Sequence, residues 1–147
     1  MAFLDTAERQ KPAPAEPAPA VDLAAAHSAV ARLTKEYPNL ARASLSEARD
    51  RFDRASGAGS DQAMVELRRF AHNFAGQGAS FNFPLITDIA NTMRAYLKEK
   101  GRPDALDRTV VDAFFAAIEE ALDRQLCGEC GPEARAILDR LTDLAAA

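Results

Sequence analysis

His72 is the residue of this chain best placed to do chemistry, because two cations and several small residues share its side of a predicted helix. On a helix each residue turns by about 100°. The large apolar residues then fall opposite His72, so the core side points away from the imidazole. The residues on that core side are Ala63, Leu67, Phe70, Phe74 and Phe81. We therefore expect an exposed imidazole, whose neutral form carries a nucleophilic nitrogen.

The face around His72 combines positive charge with small side chains. Its members are Val65, Arg68, Arg69, Ala75, Gly76 and Ala79. A glycine inside a helix costs about 1 kcal/mol relative to alanine, yet Gly76 lies one turn after His72 and Gly78 follows it. Glycine at such places indicates that a partner surface or another backbone comes close.

The run His72-Asn-Phe-Ala-Gly-Gln-Gly-Ala-Ser-Phe-Asn-Phe83 resembles the signature of the histidine-containing phosphotransfer (HPt) domain. In that signature the histidine is followed by any residue, a leucine, a lysine or alanine, and a glycine. Phe74, Ala75 and Gly76 take the last three of these places. The apolar series that follows in the family is similar to Ile86, Ile89, Ala90 and Met93.

Three positions depart from the residues usual in that family. Ala75 stands where a lysine often lies near the phosphoryl group, so that Arg68 or Arg69 would have to supply the charge. Asn82 replaces a glycine, and asparagine is the next best residue for a left-handed backbone conformation. Arg94 stands where an acidic residue often closes the motif.

The resemblance implies a phosphorelay intermediate. His72 would accept a phosphoryl group from a receiver-domain aspartyl phosphate, or from a kinase, and pass it to another receiver domain. The implied partners are response-regulator receiver domains and a hybrid sensor histidine kinase. Mg²⁺ is expected on the receiver, and no cofactor is expected on this chain.

The neighbours of His72 receive roles by the same resemblance. Arg68 and Arg69 would stabilise the transferring phosphoryl group or steer the domain onto an acidic receiver. Gly76, with its small neighbours Ala75 and Ala79, would form the flat contact around the histidine. Either Asn73 or Gln77 would orient the imidazole ring. The chain has no glycine-rich phosphate loop and no acidic cluster suited to magnesium, so we expect a phosphocarrier and not a kinase.

The composition and charge of the chain argue against a nucleic-acid-binding protein and against a membrane protein. The chain has 147 residues, a net charge of −4 and 48% hydrophobic residues, which is typical of one globular domain. We expect no nucleic-acid partner, because phosphate binding needs a concentrated basic stripe. We see no membrane-spanning run and no export signal, and therefore expect a cytoplasmic protein. A bundle with an exposed histidine needs no second copy, so a monomer is expected.

The order of segments predicts an all-α fold. Prolines at 12, 14, 17 and 19 predict a disordered Pro/Ala-rich tail over residues 1–20, followed by a helical domain over 21–147. Pro38 is expected to begin a second helix and Ser60 to cap the third. We predict an antiparallel up-down four-helix bundle with an additional helix. The predicted helices are about 22–37, 38–55, 60 to either 78 or 81, 84–100, 106–127 and 132–144.

Two other functions stay open from the sequence. One is a helical adaptor that binds receiver or kinase domains without accepting phosphate, for which the absent lysine at position 75 is the argument. The other is a metal- or redox-responsive bundle that uses Cys127 and Cys130, whose spacing is that of half a zinc site or a redox pair. No second cysteine pair supports the metal hypothesis.

Overall fold

The computed structural model describes residues 22–57 and 61–146, and in these residues the regular structure is helical with no β-strand. This confirms the all-α prediction. The predicted tail over residues 1–20 and the predicted cap at Ser60 lie outside the described residues, so both stay predictions. The elements are α1 (Leu23–Gly57), α2 (Gln62–Ser80), α3 (Pro84–Lys100), a 3₁₀ turn (Pro103–Ala105), α4 (Arg108–Asp123) and α5 (Pro132–Ala146).

The helix α1 runs through Pro38, so the prediction of two helices that meet there was wrong. A proline inside a helix removes a hydrogen bond and costs about 3 kcal/mol. The buried face continues across it, because Tyr37, Ala41 and Leu45 follow one another at intervals of four residues and are all buried. Burial of this continuous stripe offsets the local cost at Pro38.

The chain divides into two compact units, Met1–Arg32 and Leu33–Ala147. In the first unit, the described residues form the beginning of α1, and Leu23 and Val30 are exposed. In the second unit, Leu33 and Leu40 are exposed as well. These four large apolar residues lie within the first two predicted helices, and the structure leaves them exposed.

Ion pairs show that α1 and α4 run antiparallel. Arg42 Nε lies 3.1 Å from Asp123 Oδ1, and Arg49 Nη1 lies 2.8 Å from Glu119 Oε2. Toward the end of α1, Asp53 pairs with Arg108 at the start of α4. The residue number therefore rises along α1 while that of its partner falls, as expected for antiparallel neighbours in a bundle.

The core is formed mainly by aromatic and branched residues of α2, α3 and α4. Phe115 of α4 packs edge-on against Phe70 of α2, with ring centroids 5.0 Å apart, and also contacts Phe52 of α1. The helix α4 contributes a wide face of buried apolar residues to this core. These are Val110, Val111, Phe114, Phe115, Ala117, Ile118, Ala121 and Leu122.

The helix α4 ends at Asp123, four residues before the predicted end near Cys127. The amide of Leu126 donates to the carbonyl of Ala121 at 2.9 Å, and the amide of Gln125 donates to that of Leu122 at 3.2 Å. Gln125 has a φ of 52°. This is a Schellman motif, which closes the helix and buries Leu126. No glycine marks it, and the first glycine that could indicate a helix end is Gly128.

Candidate functional site

His72 lies on the exposed side of α2, as predicted. Ala63, Leu67, Phe70 and Phe74 are buried on the opposite side. Phe81, which was predicted to join them, is half-buried at the end of the helix, where it stacks on Tyr37 with ring centroids 4.7 Å apart. The core thus fixes the rotation of α2 and directs the imidazole away from the interior.

The turn between α2 and α3 depends on Asn82. Its φ is 65°, so it takes the predicted left-handed conformation. The amide of Phe83 donates to the carbonyl of Gly78 at 2.7 Å, and the amide of Asn82 donates to that of Ala79 at 3.4 Å. These bonds form a second Schellman motif, with Phe83 buried. The chain is thereby turned back, so that α3 packs against the helix that carries His72.

Gly78 allows α2 and α3 to approach closely. A β-carbon at Gly78 would lie 2.7 Å from the carbonyl oxygen of Phe83 and 2.6 Å from the hydroxyl oxygen of Thr87. Gly76 is different, because a β-carbon there would meet nothing within 4 Å. The two glycines near His72 therefore have separate roles: Gly78 serves packing between helices, and Gly76 leaves open surface beside the histidine.

His72 lines an open groove of about 580 Å³ between α2 and α3. We call it the His72 groove. Its other lining residues are Arg68 from α2 and Asn91, Arg94, Ala95, Leu97 and Lys98 from α3. Three cations thus share one groove with the imidazole, and no carboxylate lines it. In the part of the chain that the structure describes, the His72 side chain makes no hydrogen bond or ion pair.

A second groove, of about 140 Å³, lies on the other side of α2, against α1. It contains Arg69, Asn73 and Gln77, for which the resemblance implies roles beside His72. Arg69 Nη1 lies 4.0 Å from Glu66 Oε1, and Arg51 Nη1 lies 3.9 Å from Glu66 Oε2. The charge of Arg69 is therefore partly neutralised. Neither amide forms a hydrogen bond with the imidazole within the described residues, so their orienting role stays a prediction.

The remaining predicted site residues stay near the histidine. Arg68, Gly76 and Ala79 are exposed, and Ala75 is half-buried. Together they leave a surface beside His72 in which Arg68 is the one cation and the other side chains are small. Their roles in phosphotransfer stay predictions.

Sequence reasoning missed Arg94 and Lys98 as members of the site. A signal existed, because Asn91, Arg94, Ala95 and Lys98 follow a spacing of three, four and seven residues and so share one face of α3. That face is opposite to the buried one, which holds Ile86, Ile89 and Met93. The side on which α3 meets α2 could not be read from this spacing alone.

Thr87 was also missed, and it supports the helix just after His72. Its hydroxyl accepts a hydrogen bond from the amide of Ala79 at 2.8 Å and donates one to the carbonyl of Ala75 at 2.9 Å. These are two backbone groups that an α-helix ordinarily joins directly. The side chain of Thr87 thereby ties the first turn of α3 to the last turns of α2.

The two cysteines lie in the connection between α4 and α5. Both are free thiols, Cys127 exposed and Cys130 half-buried, and Cys130 Sγ donates to the carbonyl of Cys127 at 3.3 Å. Among residues 22–57 and 61–146, no three His, Cys, Asp or Glu side chains group in a way that could hold a metal ion. The redox hypothesis for this pair stays untested.

No helix in the described part of the chain is long and apolar enough to span a membrane.

Comparison with known proteins places the chain in a family. Searches of curated proteins and of solved structures gave no match. The family model of the Hpt domain, in contrast, matches residues 39–147, which is well over half of the chain. The match includes the His72 helix, the Asn82 turn and the whole of α3, so the resemblance read from the motif is confirmed. By this match the chain belongs to the Hpt domain family.

Proposed function

We propose that this protein is a phosphorelay intermediate in which His72 carries the phosphoryl group. It accepts the group from a receiver-domain aspartyl phosphate, or from a kinase, and passes it to a second receiver domain. The observation that carries the proposal is the His72 groove, where an exposed imidazole without a hydrogen-bond partner among the described residues shares one surface with three cations. Membership of the Hpt domain family supports the same reaction class.

The chemistry needs little from this chain beyond a nucleophile and positive charge. A lone pair of the His72 imidazole attacks phosphorus in line, a P–N bond forms, and the P–O bond to the aspartyl carboxylate breaks, so that the carboxylate leaves. The negative charge on the equatorial oxygens must be neutralised during this step. Arg68 in the groove supplies one such cation, and the receiver would supply the rest through the Mg²⁺ that it binds. In this proposal the chain binds no cofactor and is a phosphocarrier, not an enzyme.

The open surface around His72 suits a folded partner. The exposed backbone at Gly76 and the small side chain of Ala79 let another domain approach the imidazole without a clash. One copy of the chain presents the whole site, so we propose that it acts as a monomer. Its proposed partners are receiver domains and a hybrid histidine kinase. We propose that it acts in the cytoplasm.

The test is phosphoryl transfer from a hybrid histidine kinase that has been phosphorylated with radiolabelled ATP. We expect acid-labile label on the wild-type chain and none on His72→Gln. The chain has two histidines, so His27→Gln is a matched control and should keep the label. His27 is exposed near the start of α1, and the same change there leaves the His72 groove intact.

Two results would contradict the proposal. If His72→Gln accepts as much label as the wild type, the phosphoacceptor is another residue. If the wild type accepts no label from several competent donors but still binds their receiver domains, the protein is the adaptor considered from its sequence. Retention of the receiver by both the wild type and His72→Gln would support that second function.

A further inference from the structure

We propose that Arg94 and Lys98 of α3 form the docking surface for the acidic face of a phosphorylated receiver domain. The inference rests on the proposed function of His72 and adds to it the residues that select the partner. It assigns this role to the α3 side of the His72 helix, and not to the α1 side where Arg69 lies.

The geometry of α3 provides the first argument. Arg94 and Lys98 are exposed and are separated by four residues, so both project from the same side of the helix. Both line the groove that contains His72. A domain that reaches the imidazole from this groove therefore meets the two side chains at the same time.

The charge distribution provides the second argument. The chain as a whole has a net charge of −4, yet the His72 groove is lined by Arg68, Arg94 and Lys98 without a carboxylate. The groove on the α1 side carries charges of both signs, because Glu47 and Glu66 line it beside Arg51 and Arg69. Unneutralised positive charge is thus concentrated on one side of α2.

The availability of the cations provides the third argument. Many arginines of the described residues pair with carboxylates, as Arg42, Arg49 and Arg108 do. Arg94 instead contacts the amide oxygen of Asn91 at 3.4 Å, which leaves its charge unpaired. Lys98 has no ion pair within the described segments. Cations that stabilise no internal carboxylate are available to a partner.

The charge of a phosphorylated receiver domain identifies it as the partner that fits this surface. An aspartyl phosphate is dianionic, and carboxylates are the side chains that hold Mg²⁺ beside it. A surface of that kind is complementary to the three cations, and such complementarity raises the association rate and selects among partners. Nucleic acid is a poor alternative, because its affinity arises from many phosphate contacts along a basic stripe.

The test compares two phosphodonors on the double variant Arg94→Gln/Lys98→Gln. The first donor is a phosphorylated receiver domain, and the second is phosphoramidate, a small molecule that needs no docking surface. We expect the second-order rate constant with the receiver to fall roughly 10-fold at low ionic strength. We also expect its dependence on salt to weaken, while the rate with phosphoramidate stays unchanged.

The matched control is Arg54→Gln/Arg135→Gln, which removes the same charge from exposed positions on α1 and α5, away from the His72 groove. This control should keep the wild-type rate and salt dependence. An unchanged receiver rate in Arg94→Gln/Lys98→Gln would overturn the inference. An equal loss with both donors would also overturn it, because the cations would then act on the phosphoryl group itself. Failure of the proposed function is distinct, since the wild type would then take no label from either donor.

Discussion

Gly78 and Thr87 lie so close together that a β-carbon on the glycine would be 2.6 Å from the threonine hydroxyl oxygen. This contact fixes the separation of α2 and α3 next to the Asn82 turn. The same hydroxyl bonds to the backbone of Ala75 and Ala79. The position of His72 relative to Arg94 and Lys98 therefore depends on residues that do not line the His72 groove.

Gly78→Ala should destabilise the protein. The added methyl group would lie 2.7 Å from the carbonyl oxygen of Phe83 and from the amide nitrogen of Thr87. Both are backbone atoms, which can shift only if the helices themselves move. Overpacking of this kind costs roughly 1–3 kcal/mol. We expect the free energy of unfolding in urea to fall by about that amount.

Gly76→Ala is the matched control for that experiment. A methyl group there meets nothing within 4 Å, and alanine is favoured over glycine in a helix by up to about 1 kcal/mol. This variant should be as stable as the wild type or more so. Equal losses in Gly76→Ala and Gly78→Ala would show that helix–helix contact is not the reason for Gly78.

Arg68→Gln should slow phosphoryl transfer from a receiver domain more than Arg69→Gln does. Arg68 lies in the His72 groove, while Arg69 lies on the other side of α2 and pairs with Glu66. We expect a loss of roughly 10-fold for Arg68→Gln and less than about 3-fold for Arg69→Gln, measured as second-order rate constants. The reverse order would move the functional surface to the α1 side.

Glu120 should make stability depend on pH. Partial desolvation raises the pKa of Glu120, but hydrogen bonds from Arg140 and Arg124 outweigh it, so that the pKa is lowered overall. A carboxylate with a lowered pKa contributes stability above its ordinary titration range, and this contribution is lost as the pH falls through the folded-state pKa. Because these ion pairs lie near the surface, the contribution at pH 7 should be about 1 kcal/mol or less.

The measurement is urea unfolding of the wild type and Glu120→Gln between pH 7 and pH 3. The difference in unfolding free energy should be present at pH 7 and should shrink toward the acid end. Glu129→Gln removes an exposed carboxylate that forms no ion pair among the described residues, and it should show no such trend. A constant difference across the range would mean that Glu120 acts through packing and not through charge.

Cys127 should react with iodoacetamide faster than Cys130. Desolvation raises the pKa of the Cys130 thiol, and the nearby Cys127 and Glu133 raise it further. The thiolate is the reactive form, and Cys127 is also the more exposed of the two residues. Mass spectrometry of Cys127→Ser and Cys130→Ser at pH 8 gives the two rates separately. Faster alkylation of Cys130 would contradict this order.

The observed helix boundaries show which residues of the sequence were sufficient to predict where a helix begins or ends. Pro84 begins α3 and Gly101 ends it with a φ of 72°, both as predicted, because proline and glycine act through their own backbone restrictions. The prediction that Pro38 begins a helix was wrong, since burial of Tyr37 and its neighbours outweighs the local preference of proline for a helix start. The end of α4 at Asp123 was missed because its left-handed residue is Gln125, which carries no such preference.

By itself the sequence determined the rotation of α2 and the family, and it predicts His72 as the nucleophile. Each follows from order and spacing along one segment: the motif around His72, the apolar stripe opposite it, and Asn82 at the turn. Only the tertiary structure decided which cations accompany the histidine. The spacing along α2 places Arg68 and Arg69 on either side of His72 alike, and it is the packing of α3 against one side and α1 against the other that separates them. Contacts between helices depend on how the chain folds into a bundle, and the sequence of a single helix does not determine them.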